Sequence, residues 1–256
     1  MLLAIDVGNT ETTIGVFDRD ELVQTWRMAT IADRTPDELA LVLASFLRME
    51  GLYFDRNVSG VAVACVVPRM TQKLRQMVQR YFHFEPLVIE AGVKTGMPVK
   101  VDNPREVGAD RIVIAVAALE VVRPPLLVIG CGTATTFNAV NEDGEYLGGA
   151  IAPGLDVAAN ALASGTAMLR RVEYVPPPSV IGRNTAEALQ SGLVLGWVSL
   201  IEGMVDRFRK ELGADMKVVL TGGLSEVLGP HLECVDHMDP WLVLQGLRIL
   251  FDRNTA

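Results

Sequence analysis

Apolar runs separated by short polar turns fill the first thirty positions of the chain. An apolar run at 2–7 is followed by a turn at 8–11, an alternating run at 12–18 and, after an acidic turn, a third run at 22–28. Alternation of apolar and polar residues is typical of strands, and brief polar turns between such runs are typical of hairpins. The pattern therefore predicts three successive strands.

Helical spacing begins after these strands. Thr35, Pro36 and Glu38 have the order of an N-cap, a first-turn proline and a capping box. The apolar residues that follow recur three or four apart, as expected for one buried helix face: Leu39, Val42, Leu43, Phe46 and Leu47. A buried strand at 58–68, a second amphipathic helix at 69–82 and a strand at 86–92 come next. Strands mixed with helices in this way indicate an α/β fold.

The second half of the chain resembles the first. A polar stretch at 100–111 leads into an apolar helix, Pro124-Pro125 interrupts the chain, and residues 129–150 can be laid on residues 5–26 without a gap at the start. In this alignment Asp6 faces Gly130. A duplication of this kind predicts two similar domains, at 1–123 and 124–256. Chance similarity between two hairpins is the alternative.

Small residues recur three or four apart along a predicted helix at 185–212: Ala188, Gly192, Gly196, Ser199 and Gly203. Each interior glycine costs about 1 kcal/mol relative to alanine, so close packing against another helix should offset them. The partner helix belongs either to the other half of the chain or to a second copy in a homodimer. A strand at 217–223 and a last helix at 241–251 complete the pattern.

Composition narrows the class of protein. Half of the residues are hydrophobic and 21% are charged, which excludes disorder. No stretch of about 18 uninterrupted apolar residues and no signal peptide are present, so we expect no membrane partner. The net charge of −8 argues against nucleic acid as a partner. The three cysteines have no metal-ligand spacing, which is typical of the reducing cytoplasm.

Three glycine turns carry the candidate chemistry. The first follows a buried strand with an Asp at its end, and its glycine and hydroxyl groups could surround a phosphate while Asp6 holds Mg²⁺. The second is 132–136 and the third is 220–224, where missing side chains would leave room for an adenosine group. Two facing hairpins and a third turn suit a nucleoside triphosphate. The P-loop and Rossmann signatures do not occur.

In this order the turns resemble the phosphate-one, phosphate-two and adenosine motifs of the acetate and sugar kinase, heat-shock protein 70 and actin superfamily. More closely, the chain resembles type III pantothenate kinase. The resemblance runs over nearly the whole sequence through the motifs IDVGNTETTIGVFD, VDNPREVGADR, GTATTFNAV, LGGAIAPGL, IGRNTAEALQSG, TGGL and VDHMDPWLVLQGLRILFDRN.

The resemblance implies an actin-like (ribonuclease H-like) ATPase fold, α/β with two similar domains, mixed β-sheets flanked by helices and an inter-domain nucleotide cleft. It implies ATP-dependent phosphorylation of pantothenate to 4'-phosphopantothenate, the first step of coenzyme A biosynthesis, by a homodimer with Mg²⁺. ATP would be bound by Asp6, Val7, Gly8, Asn9, Thr10, Glu11, Thr12, Thr13 and Thr133. Pantothenate would be bound by Gly108, Ala109, Asp110, Arg111 and Thr185, with Asp110 as general base.

Three positions depart from the family pattern. Gly130 stands where the family usually has an Asp that binds a monovalent cation, K⁺ or NH₄⁺, so that site should be weakened or lost. Ile114 replaces a usual Asn, and Asn138 replaces a common Asp. These changes leave three hypotheses: a kinase with weak or cation-independent ATP binding, a catalytically impaired paralogue that acts as a binding or regulatory protein, or a kinase for another small hydroxylated acid.

Overall fold

Two five-stranded sheets organise the part of the chain that this computed structural model describes, residues 1–166 and 168–255. The strands are β1 Leu2–Val7, β2 Glu11–Asp18, β3 Glu21–Ala29, β4 Gly60–Cys65, β5 Leu87–Val88, β6 Leu126–Cys131, β7 Ala134–Val140, β8 Tyr146–Pro153, β9 Lys217–Thr221 and β10 His237–Met238. The three N-terminal strands predicted from the sequence are confirmed.

Helices flank both sheets. They are α1 Pro36–Met49, α2 Phe54–Asn57, α3 Pro68–Phe82, α4 Ala109–Val121, α5 Leu155–Gly165, α6 Thr185–Gln190, α7 Gly196–Leu212, α8 Ser225–Leu228 and α9 Leu242–Thr255. The capping box of α1 is present, because the Thr35 hydroxyl accepts from the Glu38 backbone N–H and the Glu38 carboxylate accepts from the Thr35 backbone N–H. The buried face of α1 carries Leu39, Leu43 and Leu47, as its spacing predicts.

The two sheets share one topology. The first has the order β3-β2-β1-β4-β5 and the second the order β8-β7-β6-β9-β10. In each, the central strand is antiparallel to the next strand in sequence and parallel to the later one. The second hairpin is one residue shorter, since Asp6 pairs with Thr13 whereas Gly130 pairs with Thr136. The ungapped alignment predicted from the sequence therefore slips by one residue at the turn.

The chain packs as two compact units that do not divide at residue 123. The first contains residues 1–96, 105–117 and the chain from Val243 onward, and the second contains residues 97–104 and 118–242. The division at 123 and 124 stays a prediction about the repeated motifs. Packing divides the chain elsewhere because α9 completes the core of the first unit.

Two strand glycines make room for α9 on the first sheet. A Cβ built on Gly15 would lie 2.7 Å from Leu244, and one built on Gly60 would collide with Phe251. Leu244, Leu247 and Leu250 of α9 are fully buried. Hydrophobic burial of this helix stabilises the first unit.

The helical run Thr185–Leu212 is continuous through a π-helical turn, Ser191–Leu195, between α6 and α7. By length and composition it could cross a membrane, and only 33% of its most apolar stretch is buried within the chain. Polar and charged residues interrupt this stretch, so the prediction that no run of about 18 uninterrupted apolar residues occurs still holds. Core helices of soluble proteins meet the same criterion, and Val198, Ile201 and Val205 are buried here.

We predict that Leu244→Ala lowers the free energy of unfolding by about 2–5 kcal/mol, because it leaves a cavity between α9 and the first sheet. Leu41→Ala makes the same truncation at a side chain that is 69% exposed, and it should change stability by no more than about 0.5 kcal/mol. Urea denaturation of both variants tests this, and equal effects would show that α9 is not part of the core.

Candidate active site

The first glycine turn joins β1 to β2 in the first unit. Asp6 is the partner of Thr13 in the strand pair, and the Gly8 N–H donates to the Glu11 carbonyl at 3.0 Å. Thr12 is buried, and its hydroxyl lies 2.8 Å from the Thr30 hydroxyl. The Thr12 side chain therefore ties this turn to Thr30, the residue that follows β3.

The other residues of this turn differ in exposure. Val7 is fully buried in the core, whereas Asn9 and Thr10 are exposed. Thr10 also fixes the turn, because its carbonyl accepts from the Thr30 N–H at 2.9 Å. Of the residues predicted to bind ATP in this turn, Asn9, Thr10 and Glu11 have exposed side chains that a ligand could reach directly.

The GADR motif forms the start of α4, also in the first unit. The Arg111 N–H donates to the Gly108 carbonyl at 3.1 Å, and Ala109 is the first helical residue. A Cβ on Gly108 would collide with the Asp110 carboxylate, so the glycine lets this side chain fold back over the turn. The N-terminus of a helix favours a negative charge at this position.

The Asp110 charge acts on Asp6 within this unit. Burial, together with the Asp110 charge, raises the pKa of Asp6 to about 7. Burial also raises the pKa of Asp110, against the opposing effects of the Arg111 backbone N–H and the Arg111 charge. Paired carboxylates whose charges repel can share a proton or bind a cation.

A divalent cation fits this pair of carboxylates, because hard cations prefer oxygen ligands. Among residues 1–166 and 168–255, no group of three or more His, Cys, Asp or Glu side chains could hold a metal ion. A cation bound by Asp6, close to the Asp110 charge, would therefore take its other ligands from water and from substrate phosphate.

The second glycine turn joins β6 to β7 in the second unit. The Gly132 N–H donates to the Ala134 carbonyl at 3.0 Å, and the side chain of Thr133 is exposed. The Gly154 N–H donates to the Thr133 carbonyl at 3.0 Å. A Cβ on Gly154 would collide with the backbone of Gly132 and Thr133, so glycine is required where α5 begins.

The third glycine turn lies directly against the end of β6. Gly222 has a φ of +98°, and a Cβ there would collide with the Cys131 backbone. The Leu224 N–H donates to the Cys131 carbonyl at 3.3 Å. Burial raises the pKa of the Cys131 thiol to about 12, so this cysteine is an inert packing residue.

The positions that depart from the family pattern are also placed. Gly130 is in β6 and offers no side-chain ligand for a cation. Asn138 is fully buried in β7, where its amide donates to the Val128 carbonyl at 3.2 Å and its carbonyl accepts from the Tyr146 hydroxyl at 3.1 Å. Ile114 is a buried residue of α4, 6% exposed.

Thr185 is exposed at the first position of α6. The preceding Asn184 caps the helix, since its side chain accepts from the Glu187 N–H at 2.9 Å. The structure thus brings Asp6 and Asp110 together in the first unit. It places the second and third turns together in the second unit, and Thr185 at a separate helix start.

Some side chains that support the second turn were not predicted from the sequence. The Trp197 indole N–H donates to the buried Thr135 hydroxyl at 3.0 Å, which ties α7 to β7. Tyr146 is fully buried and reaches Asn138. The signal available in the sequence was the polar character of these residues inside otherwise apolar segments, which calls for a hydrogen-bond partner.

Comparison with known proteins decides the family. The sequence profile of type III pantothenate kinase matches residues 2–207. A "Type III pantothenate kinase" of Moorella thermoacetica is 49% identical over 255 residues, covering 100% of both chains. One of Streptomyces griseus is 46% identical over 263 aligned positions, covering 100% of this chain and 99% of its own. The chain belongs to the type III pantothenate kinase family.

Solved structures agree on the fold. Component A of (R)-2-hydroxyglutaryl-CoA dehydratase from Acidaminococcus fermentans matches with a TM-score of 0.58 at 16% identity, covering 100% of this chain and 99% of its own. An inorganic polyphosphate/ATP-glucomannokinase from Arthrobacter matches with a TM-score of 0.51 at 14% identity, covering 98% of both chains. The chain therefore has the fold shared by actin-like ATPases and sugar kinases, as predicted.

We predict that Asp6→Asn raises the melting temperature at pH 8 and leaves it unchanged at pH 4. An unfolded Asp has a pKa of about 3.9, and in the folded protein the pKa of Asp6 is about 7. The stability that this raised pKa supplies is complete below about pH 4 and is lost as the pH rises through 7. Asparagine is neutral throughout, so it escapes this loss. Thermal denaturation across that range tests the prediction, and equal melting temperatures at pH 8 would contradict it.

Proposed function

We propose that this protein transfers the γ-phosphoryl group of ATP to the primary hydroxyl of pantothenate, giving 4'-phosphopantothenate in the first step of coenzyme A biosynthesis. The observation that carries the proposal is family membership over residues 2–207 together with a partly buried Asp110 at the start of α4. A kinase of this family uses ATP and a divalent metal. The cytoplasm, where both substrates are available, is the proposed location.

Asp110 is the proposed general base. Burial raises the pKa of its carboxyl, which makes the carboxylate a stronger base for a substrate hydroxyl. Arg111, the next residue, suits the carboxylate of pantothenate because a guanidinium can donate two parallel hydrogen bonds. Gly108 and Ala109 form the turn that presents both side chains, and Thr185 is a further proposed substrate contact.

The residues proposed to bind ATP position its phosphates and form hydrogen bonds to them. Asp6 would hold Mg²⁺, and the bound ion would neutralise charge on the phosphates. The backbone and side chains of residues 6–13 surround the phosphates, and Thr133 of the second turn adds a contact from an exposed position. Phosphoryl transfer depends mainly on such positioning and charge neutralisation.

The monovalent cation expected from the family has no carboxylate ligand at Gly130. We therefore propose that potassium is not needed here. The alternative, a catalytically impaired paralogue with a binding or regulatory role, has no support from the relatives, which carry the kinase name. Asp6, Asp110, Arg111 and Thr133, the residues proposed for the reaction, are all present in the sequence.

We predict that Asp110→Asn lowers kcat for pantothenate-dependent ADP release by about 100-fold or more, because it removes the general base and keeps the side-chain shape. Asp143→Asn changes an exposed carboxylate in the turn after β7 and should leave kcat unchanged. The assay couples ADP release to added pantothenate. Absence of pantothenate-dependent turnover in the unaltered protein would refute the proposed function.

We also propose that the protein is a homodimer with its interface on the second unit. An apolar groove of about 640 Å³ lies beside α5, α6 and α7 and is lined by Leu162, Leu189, Leu193 and Trp197 among others. A Cβ on Gly192, Gly196 or Gly203 would meet nothing within 4 Å in the described chain. The small residues therefore remain open to a second copy.

A charge placed in this groove should separate the copies. Leu162 is 41% exposed, and Leu162→Glu should shift the protein toward monomer in sedimentation equilibrium because burying the carboxylate in an apolar interface is costly. Val23→Glu introduces the same charge at a similarly exposed position of the first unit and should leave the association state unchanged. A monomeric unaltered protein would contradict the proposal.

A further inference from the structure

Two threonines flank Gly130 on the neighbouring strands of the second sheet. Gly130 of β6 is paired with Thr136 of β7 on one side and with Thr221 of β9 on the other. Directly paired residues place their side chains on the same face of a sheet. The glycine therefore places no side chain of its own between two hydroxyl-bearing side chains, close to the carboxyl ends of the parallel strands β6 and β9.

The Thr221 hydroxyl is the unexplained group in this row. Thr221 is 3% exposed, and its Oγ1 has no hydrogen-bond partner among residues 1–166 and 168–255. Buried polar groups are normally satisfied by protein or ordered water. Nothing in the α/β packing requires a hydroxyl at this position, because a valine would fill the same volume.

Thr136 is oriented by Asn138. The Asn138 amide nitrogen donates to the Thr136 hydroxyl and to the Val128 carbonyl, both at 3.2 Å. The Tyr146 hydroxyl donates to the Asn138 carbonyl oxygen, which fixes the direction of the amide. Because the Thr136 oxygen accepts from the amide, its own hydrogen remains available to a further acceptor.

The row of Gly130, Thr136, Thr221 and Asn138 carries no formal charge. Neutral donors favour an anion or a polarised water over a bare cation, whose site in proteins is usually built with at least one carboxylate or a ring of carbonyls. A space lined by two hydroxyls can hold a water molecule, which makes two to four hydrogen bonds when buried. The same hydrogen-bonding chemistry suits a phosphate oxygen.

We propose that Thr136 and Thr221 hold a water molecule in the space over Gly130, and that this water and the two hydroxyls bind nucleotide phosphate where a monovalent cation would otherwise be needed. The inference rests on the proposed function and adds the residues that make its nucleotide binding independent of potassium. Water-mediated contacts of this kind bind nearly as well as direct ones.

Calorimetric titration with Mg·ATP, without pantothenate, tests the site apart from turnover. The Kd of the unaltered protein should be equal in potassium chloride and in tetramethylammonium chloride at the same ionic strength. Thr221→Val should weaken binding about three- to tenfold in both salts, because it removes a hydrogen-bonding group. Thr221→Ser should restore the affinity. The melting temperature of nucleotide-free Thr221→Val should not fall, since the hydroxyl makes no hydrogen bond to the described protein.

Two further variants separate this site from general damage to the sheet. Thr135→Val removes a buried hydroxyl from the opposite face of β7 and loses the Trp197 hydrogen bond, so its melting temperature should fall while the ratio of Kd values in the two salts stays at one. Gly130→Asp should displace the water, and its Kd should become lower in potassium than in tetramethylammonium.

The inference is overturned if the unaltered protein binds Mg·ATP more weakly without potassium, or if Thr221→Val binds as tightly as the unaltered protein. Pantothenate-dependent ADP release, measured in parallel, keeps the two proposals distinct. Potassium-independent binding that depends on Thr221 but leads to no turnover would refute the proposed function and support this site. Turnover that requires potassium would support the proposed function and refute this site.

Discussion

Glycines allow close approaches at the candidate ligand-binding turns of this protein, at positions where a Cβ would collide with neighbouring atoms. In the first unit, Gly108 lies beneath the Asp110 carboxylate. In the second, Gly154 and Gly222 pack on the backbone at the end of β6. These contacts fix the positions of the second and third turns relative to one another. Because glycine has no side chain, these turns also let a ligand approach the backbone closely.

The charges of the first unit oppose its stability. Burying Asp6 near Asp110 raises the pKa of Asp6 to about 7, so the unit is strained electrostatically when both groups ionise. A bound cation would offset that repulsion, and the charge held there would then assist phosphate binding. The second unit has the opposite character at Gly130, where hydroxyls and an amide replace charge. The two halves of a duplicated fold therefore carry different chemistry at equivalent strand positions.

Local signals made much of the fold predictable. The alternation at 2–28 and the capping box at Thr35 depend on residues near in sequence, and both are present. The helix α9 was predicted, but its place in the first unit was not, since that packing joins residues more than two hundred positions apart. The shorter second hairpin was missed because one residue of turn length does not alter the apolar pattern.

The candidate site was predictable only as far as its motifs. Asp6 and Asp110 were singled out from the sequence, and their mutual effect needed the structure. Thr12 was expected to face a ligand, yet its hydroxyl is buried with Thr30. Thr221 belongs to the TGGL motif singled out from the sequence, but only the strand pairing showed that it lies beside Gly130. The residues that face each other across two strands depend on the register of pairing. Local periodicity does not determine the register between strands that are distant in sequence.

The position of α9 has a consequence for synthesis on the ribosome. Residues 243–255 cover the first sheet, although residues 1–96 are made first. Residues 1–96 therefore keep apolar surface exposed until α9 has left the exit tunnel. The second unit, residues 97–104 and 118–242, has all its strands available sooner. The half that begins the chain is thus the half that matures last.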